Sequence, residues 1–201
     1  MSGLPYMKNY FQYLEIQDTT NLGLINEICA LHRELLPDAL FATFNLKLGT
    51  VIFRMLIADR NVKVVGAFES TSNQLVGAGI FLFPKFSILQ KTKGEFSLFF
   101  IQASYWLLRN PVKVLGSLYE YLRMHYSRPK GPAIEISAIF VLSEYQRHGV
   151  STNILKFAET LTSLKPFFVS TKRDNTKAIA FYQKTGFVFA SEGKNDVWLK
   201  K

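Results

Sequence analysis

The sequence contains little cysteine. Of its 201 residues one is cysteine, so no disulfide can form within the chain and no cysteine cluster can hold a metal. That residue, Cys29, has apolar neighbours on both sides and is expected to be a small core residue. We therefore expect neither a disulfide framework nor a metal ion.

Long apolar runs are absent as well. The apolar run at residues 96–108 is shorter than the roughly 20 residues that a membrane-spanning helix needs, and it ends at Arg109. Residues 1–13 lack the apolar core of a signal peptide. We expect a single domain over residues 1–201, without a transmembrane segment and located in the cytoplasm.

Acidic residues are outnumbered. The chain has 24 lysines and arginines against 15 aspartates and glutamates, which gives a formal net charge of +9. Such a balance favours anionic partners. The basic residues are scattered, however, and do not form the stripe with interleaved aromatics that is typical of nucleic-acid-binding surfaces. We expect small anionic ligands and no nucleic acid.

A strand and a helix joined by a short loop predict an anion site. Residues 133–142 alternate as a strand, and residues 149–164 repeat apolar side chains at helical spacing. The alternation assigns one strand face to Ile134, Ile136, Ala138, Phe140 and Leu142. The amides and the dipole at the start of the helix attract phosphate. The residues expected to bind a pyrophosphate are Gln146, Arg147, His148, Gly149, Val150 and Ser151.

A second short helix is expected at residues 175–185. It begins with Asn175, a favourable helix cap, and Gly186 follows as the residue type expected just past a helix end. Ala178 and Tyr182 lie on this helix. By pattern alone, Tyr182 is an amphipathic residue at the edge of the core.

Both segments resemble signatures of the GNAT superfamily of N-acetyltransferases, which move an acyl group from coenzyme A to an amine. Residues 146–151 resemble Gln/Arg-x-x-Gly-x-Gly/Ala, with Ser151 as a departure at the last position. The second signature, Asn-x-x-Ala-x-x-x-Tyr-x-x-x-Gly-Phe, is matched at Asn175, Ala178, Tyr182, Gly186 and Phe187. The two signatures follow each other in the family's order, which makes the resemblance specific.

The resemblance implies a role for each segment. The loop at residues 146–151 would bind the pyrophosphate of an acyl-coenzyme A co-substrate. Asn175, together with Ala178, would contact the pantetheine arm, and Tyr182 would protonate the departing thiolate. The backbone of the strand would hold the pantetheine and polarise the thioester carbonyl. The strand residues concerned are Ile139, Phe140 and Val141.

The resemblance also implies an α/β (α+β) fold with a mixed, mostly antiparallel central sheet flanked by helices. Besides 133–142, strands are expected at residues 10–16, 62–69, 75–83, 166–171, 187–192 and 196–199. Besides 149–164 and 175–185, helices are expected at residues 20–35 and 38–58. Residues 84–132 form a helical insertion between the third and fourth strands, which is the clearest departure from the family.

The insertion has aromatic residues at helical spacing and is interrupted at Pro111. It packs on the sheet, joins a second subunit as a homodimer, or lies on a membrane surface. In a functional interpretation, its helices wall the acceptor side of the cleft. The candidates for binding a phosphorylated acceptor are Tyr119, Arg123, His125 and Arg128, with His32 from the end of the first helix.

Glu135 is the candidate general base that accepts the proton of the acceptor amine. It precedes the loop by the offset at which histone-modifying members of the superfamily carry their catalytic glutamate. In the structural alternative it is a rim carboxylate paired with a lysine or arginine. His125 and His32 are the other candidates for the base.

No cysteine lies in the cleft motifs to form an acyl-enzyme, so we expect direct attack by an amine in a ternary complex. The basic charge and the insertion favour a nucleotide-linked amino sugar as acceptor, such as a deoxythymidine-diphosphate sugar of surface polysaccharide biosynthesis. The acyl group is acetyl or larger, such as hydroxybutanoyl. The alternative enzyme is a protein or peptide amine N-acetyltransferase. From another class, the alternative is a non-catalytic module that binds acyl-coenzyme A.

Overall fold

The computed structural model describes residues 10–37, 39, 42, 44–84, 86, 104, 108, 111, 115, 116, 119 and 131–201. These residues form seven strands and four α-helices. In chain order they are β1 Phe11–Glu15, α1 Leu22–Leu35, α2 Leu46–Ala58, β2 Val62–Glu69, β3 Leu75–Leu82, β4 Ile134–Val141, α3 Val150–Thr160, β5 Phe167–Lys172, α4 Thr176–Lys184, β6 Val188–Glu192 and β7 Asp196–Lys200. Within these ranges no helix is long and apolar enough to cross a membrane.

Asparagine caps fix the start of three helices. The side-chain oxygens of Asn21, Asn45 and Asn175 accept hydrogen bonds from the third backbone N–H beyond them, at 3.0, 2.9 and 3.1 Å. The expected helix 38–58 was therefore wrong at its start, because Asn45 caps α2 and the described positions before it are not α-helical. The expected helix 149–164 was too long at its end, since α3 stops at Thr160.

The seven strands form one sheet in the order β1-β2-β3-β4-β5-β7-β6. All neighbouring pairs are antiparallel except β4 and β5, which run parallel. One core lies between the sheet and α1 and α2, and includes Phe53 and Phe140. The other lies between the sheet and α3 and α4, and includes Ile136, Ile154 and Tyr182. The expected mixed, mostly antiparallel sheet flanked by helices is confirmed.

A bulge in β4 corrects the expected alternation of that strand. Ile80 and Phe81 of β3 pair with Ala138 and Ile136, so Ser137 is an extra residue without a partner in the ladder. An extra residue moves the following side chains to the opposite face of the sheet. Ile136 therefore packs toward α3 and α4, whereas Ala138 packs toward α1 and α2.

Within residues 87–130 of the expected insertion, six positions are described. They are residues 104, 108, 111, 115, 116 and 119, and all six have helical backbone and an exposed position. The remaining residues of 87–130 lie outside the described part of the chain. The helical insertion at residues 84–132 stays a prediction.

Candidate functional site

The strands β4 and β5 part at the centre of the sheet. They pair at three positions, from Ile134 with Phe167 to Ile136 with Val169. Beyond these positions the described residues of β4 pair with β3, and those of β5 pair with β7. Since the two strands are parallel, their C-terminal ends lie at the same edge of the sheet. The chain continues from these ends into α3 and α4, so two helix N-termini lie at the edge where the strands separate.

The loop before α3 has the geometry of an anion-binding nest. A 3-10 turn at Ser143–Tyr145 leads into Arg147 and Gly149, which have left-handed backbone with φ of +65° and +81°. The first hydrogen bond of α3 runs from Asn153 N–H to the Gly149 carbonyl oxygen, at 3.0 Å. The N–H groups before Asn153 therefore precede the helical ladder, where an anion finds donors and the positive end of the helix dipole.

Gly149 leaves open space beside the loop. No heavy atom lies within 4 Å of the position that a Cβ would occupy there, and the residue is exposed. Glycine is therefore required for its left-handed φ and not for close packing. Gln146, Arg147 and His148 are also exposed, which leaves the whole loop accessible to a ligand.

Two hydrogen bonds attach this loop to the sheet. The Gln146 side-chain Nε2 donates to the Val141 carbonyl oxygen at 3.1 Å, and the Leu142 N–H donates to the Val76 carbonyl oxygen on β3 at 2.9 Å. Backbone groups in an antiparallel ladder alternate in direction. Because Leu142 points toward β3, Ile139 and Val141 direct their backbone groups toward the parted side.

Phe140 behaves differently from its two neighbours. Its backbone groups point toward β3 by the same alternation, and its side chain is buried in the core under α1 and α2. Of the three strand residues expected to hold a pantetheine, Ile139 and Val141 therefore have the backbone direction that this role requires.

Tyr182 is a buried hydroxyl on α4. Its ring packs edge-on against Phe181 and Phe187, with centroid distances of 4.9 and 5.3 Å, and 7% of the residue is exposed. The hydroxyl makes no hydrogen bond with a residue that the structure describes. Burial raises the pKa of Tyr182, so the group is a proton donor at neutral pH. It packs in the same cluster as Ile139 of β4.

Glu135 lies on the other face of the sheet. It pairs with Leu82 on β3 and Phe168 on β5, and it is half-buried. Leu82 packs against the core under α1 and α2, whereas the strand neighbours Ile134 and Ile136 pack toward α3 and α4. Glu135 and Tyr182 therefore approach the parted strands from opposite faces.

His32 belongs to the core beneath the same strand. Its ring packs edge-on against Phe53 of α2 and Phe140 of β4, with centroid distances of 5.4 and 5.5 Å. Burial lowers the pKa of His32 to about 4, so the imidazole is neutral at physiological pH. It has neither the charge to bind a phosphate nor the basicity of an exposed histidine. The geometry favours the packing role of His32 over an acceptor-binding role.

The remaining site residues are distributed unevenly. Asn175 caps α4, and Ala178 supplies the N–H of that cap. Val150 is buried at the start of α3, and Ser151 is half-buried beside it. Tyr119 is 64% exposed, and Arg123, His125 and Arg128 lie outside the described residues. Sequence reasoning missed the bulge at Ser137, whose only sequence signal is a polar residue inside an apolar strand.

No group of three His, Cys, Asp or Glu side chains in the described part of the chain is arranged to hold a metal ion. The expected absence of a metal stays a prediction. The exposed loop before α3, the parted strands and the buried Tyr182 make up the candidate cleft.

One known protein family matches most of this chain. The sequence model of the acetyltransferase (GNAT) family matches residues 31–187. No curated protein matches the chain in a sequence search.

Solved structures with the same fold are similar over most of their length. One is aminoglycoside antibiotic 6'-N-acetyltransferase AAC(6')-Ih from Acinetobacter baumannii, with 17% identity, coverage of 90% of this chain and 92% of that chain, and a TM-score of 0.58. AAC(6')-Iy in complex with the bisubstrate analogue CoA-S-monomethyl-acetylneamine has 11% identity, coverage of 92% and 94%, and a TM-score of 0.58. Arabidopsis thaliana NAA60 in complex with acetyl-CoA has 13% identity, coverage of 95% and 97%, and a TM-score of 0.56.

Proposed function

This chain belongs to the acetyltransferase (GNAT) family, and from that premise we propose which of its residues act on the acyl donor and on the amine. Membership makes it an acyl-coenzyme A-dependent N-acyltransferase, with acetyl-coenzyme A as co-substrate. The acceptor amine and the residue roles are the subject of the proposal.

The donor binds along the parted strands. Its pyrophosphate lies on the nest at residues 146–151 and the start of α3, where backbone N–H groups meet the charge. Its pantetheine follows β4 and uses the backbone groups of Ile139 and Val141 as an added strand would. The side-chain amide of Asn175 reaches the same arm from α4. The observation that supports this placement is the loss of β4–β5 pairing beyond Ile136.

Transfer proceeds by direct attack. The amine nitrogen forms a bond to the thioester carbonyl carbon, the carbon–sulfur bond breaks, and the sulfur leaves as a thiolate. Tyr182 gives its proton to that sulfur and is reprotonated by solvent. Glu135 takes the proton that the amine loses. The acid and the base act on different atoms, the departing sulfur and the incoming nitrogen, so they can act from opposite faces of the sheet.

The acceptor is a nucleotide-linked amino sugar. The supporting observation is the formal net charge of +9, which attracts an acceptor that carries phosphates. One of the similar structures is named as an aminoglycoside antibiotic 6'-N-acetyltransferase, which makes an aminoglycoside the second candidate. Aminoglycosides are polycations, and the same net charge opposes their binding. A peptide amine is the third candidate acceptor.

The test is a comparison of acceptors under one donor. Purified protein is incubated with acetyl-coenzyme A and a set of deoxythymidine-diphosphate amino sugars, aminoglycosides and peptides with free amines. The released thiol gives the rate, and mass spectrometry identifies the acylated product. We expect the highest kcat/KM with a nucleotide-linked amino sugar. Turnover of peptides or aminoglycosides without turnover of any sugar would reverse the assignment of the acceptor.

A further inference from the structure

The edge strand β1 contacts residues on both sides of the loop at residues 146–151. Phe11 and Tyr13 are two residues apart on β1, so their side chains lie on one face. The Phe11 ring packs edge-on against Tyr145, just before the loop, with a centroid distance of 5.9 Å and an interplanar angle of 82°. The Tyr13 hydroxyl accepts a hydrogen bond from Nδ2 of Asn153, in α3 just after the loop, at 3.3 Å.

Glu69 completes the attachment on the side before the loop. It pairs with Phe11 across β1 and β2, and its Oε1 accepts a hydrogen bond from the Tyr145 hydroxyl at 3.3 Å. Its Oε2 accepts from Ser72 Oγ at 2.6 Å, which holds the carboxylate in place. Partial burial and the nearby Glu69 carboxylate raise the pKa of Tyr145, so its hydroxyl remains a donor at neutral pH.

The loop between these attachments is strained. Arg147 has a φ of +65°, a left-handed conformation that is strained for a residue with a side chain. Such a conformation persists when the surrounding structure holds it in place. The contacts of Tyr145 and Asn153 with the first two strands fix the two ends of the loop and so supply that support.

We propose that Tyr145 and Tyr13 are positioning residues that hold the loop at residues 146–151 in its anion-binding shape before coenzyme A arrives. This inference rests on the proposed function, because it assumes that the loop binds the coenzyme A pyrophosphate. A loop already held in shape loses less conformational freedom on binding, which increases affinity for the ligand. This increase in affinity applies only to acyl donors that carry the pyrophosphate.

The experiment compares three variants with a matched control. Tyr145→Phe and Tyr13→Phe each remove one hydroxyl, and Asn153→Ala removes the same Tyr13 bond from the exposed side of α3, where alanine favours the helix. Tyr10→Phe is the control, since Tyr10 directly precedes β1, is exposed and has a hydroxyl that makes no hydrogen bond with a described residue. Calorimetry gives the Kd of coenzyme A, and initial rates compare acetyl-coenzyme A with acetyl-pantetheine.

We expect the Kd of coenzyme A to rise about 2- to 10-fold in each of the three variants, as the loss of one hydrogen bond allows. The kcat/KM for acetyl-pantetheine, which carries no phosphate, stays unchanged, and so does the Kd in Tyr10→Phe. An unchanged coenzyme A Kd in all three variants would overturn the inference. An equal loss for both donors would also overturn it, because the cleft as a whole would then be damaged. Wild-type protein that binds no coenzyme A would instead refute the proposed function.

Discussion

Burial acts in opposite directions on the pKa of two residues near the parted strands, and it keeps both of them neutral. The Tyr182 hydroxyl has a raised pKa and keeps its proton, whereas His32 has a pKa lowered to about 4 and stays without one. A buried neutral phenol is suited to give a proton to a thiolate. A buried neutral imidazole between two aromatic rings is suited to packing.

Tyr182→Phe tests the acid directly. The change removes the hydroxyl and keeps the ring that packs against Phe181 and Phe187. We expect kcat to fall about 100-fold with the KM of acetyl-coenzyme A nearly unchanged, because general acid catalysis contributes on this scale. A synthetic acetyl thioester of a more acidic thiol needs less protonation, so the loss should shrink with that donor. Equal kcat for both proteins would assign the proton transfer to solvent.

Glu135→Gln tests the base on the opposite face. The amide cannot accept the amine proton as a carboxylate does, so kcat should fall about 100-fold and the acidic limb of the pH–rate profile should flatten. Glu135→Asp keeps a carboxylate and should retain part of the limb. A full acidic limb in the glutamine variant would transfer the role to His125 or water.

His32 predicts a pH dependence of stability. Its folded pKa of about 4 lies below the ordinary value of 6.5, so between these values the unfolded chain binds more protons than the folded chain. The contribution of neutral His32 to the unfolding free energy is therefore fully present above pH 6.5 and is lost as the pH falls toward 4. The pKa shift corresponds to a contribution of about 3 kcal/mol.

The matching variant is His32→Phe, which removes the titration and keeps an aromatic ring between Phe53 and Phe140. Urea unfolding between pH 7 and pH 4 should show a shallower loss of unfolding free energy in the variant. Parallel curves for the two proteins would contradict the assignment of this pH dependence to His32.

At the scale of elements, two local irregularities shape the cleft. The extra residue in β4 at Ser137 interrupts its ladder with β3, next to the position where β4 also separates from β5. The left-handed residues before α3 turn the chain so that the helix start faces the same edge.

Two substitutions at Gly149 separate the effect of backbone strain from the effect of a negative charge. Gly149→Ala adds a Cβ that meets no atom within 4 Å, so it introduces only the cost of a left-handed φ, about 1–2 kcal/mol of unfolding free energy. Gly149→Glu adds the same strain together with a negative charge. We expect similar losses of stability in both variants and a much larger rise of the coenzyme A Kd in the glutamate variant.

Gly149→Ala is thus the control for Gly149→Glu. Chemical unfolding measures the stability of each variant, and calorimetry measures its coenzyme A affinity. If the two variants bound coenzyme A equally well, the charge of the side chain would not face a phosphate, and the placement of the pyrophosphate on this loop would be wrong.

At the scale of the whole molecule, the excess of basic residues acts over longer distances than any single contact. The net charge of +9 raises the local concentration of anions and opposes cations. This effect is screened by salt, since the Debye length falls from about 10 Å at 0.1 M ionic strength to about 3 Å at 1 M. A change of salt concentration therefore distinguishes the effect of the net charge from that of the short-range contacts in the cleft.

Salt dependence tests the charge argument for the acceptor. If the acceptor is a nucleotide-linked sugar, its KM should rise severalfold as the salt concentration increases from about 0.05 to about 0.5 M. An uncharged hydroxylamine-type amine acceptor serves as the comparison, and its KM should stay level. A sugar-nucleotide KM that does not respond to salt would mean that net charge contributes little to acceptor recognition.

The order of the described elements and the two motifs follow from the sequence alone. Apolar periodicity and capping residues depend on neighbours in the chain, so β4, α3 and α4, with Gly149 and Asn175, were found from the pattern. The role of Tyr182 is implied by the resemblance to the second signature. The expected start of α2 was wrong, because Asp38 and Thr43 are also residue types that cap helices, and the sequence does not show that Asn45 is the one that does.

Features that depend on contacts between distant residues become visible in the folded protein. The face on which Ala138 and Phe140 lie follows from a bulge in the ladder with β3, and no local pattern specifies that mismatch. The neutral state of His32 follows from burial against Phe53 and Phe140, which come from two other elements. The loop at residues 146–151 is held by contacts between β1 and residues more than a hundred positions away in the chain. Pairing registers and desolvation arise from packing, and periodicity along the chain does not encode them.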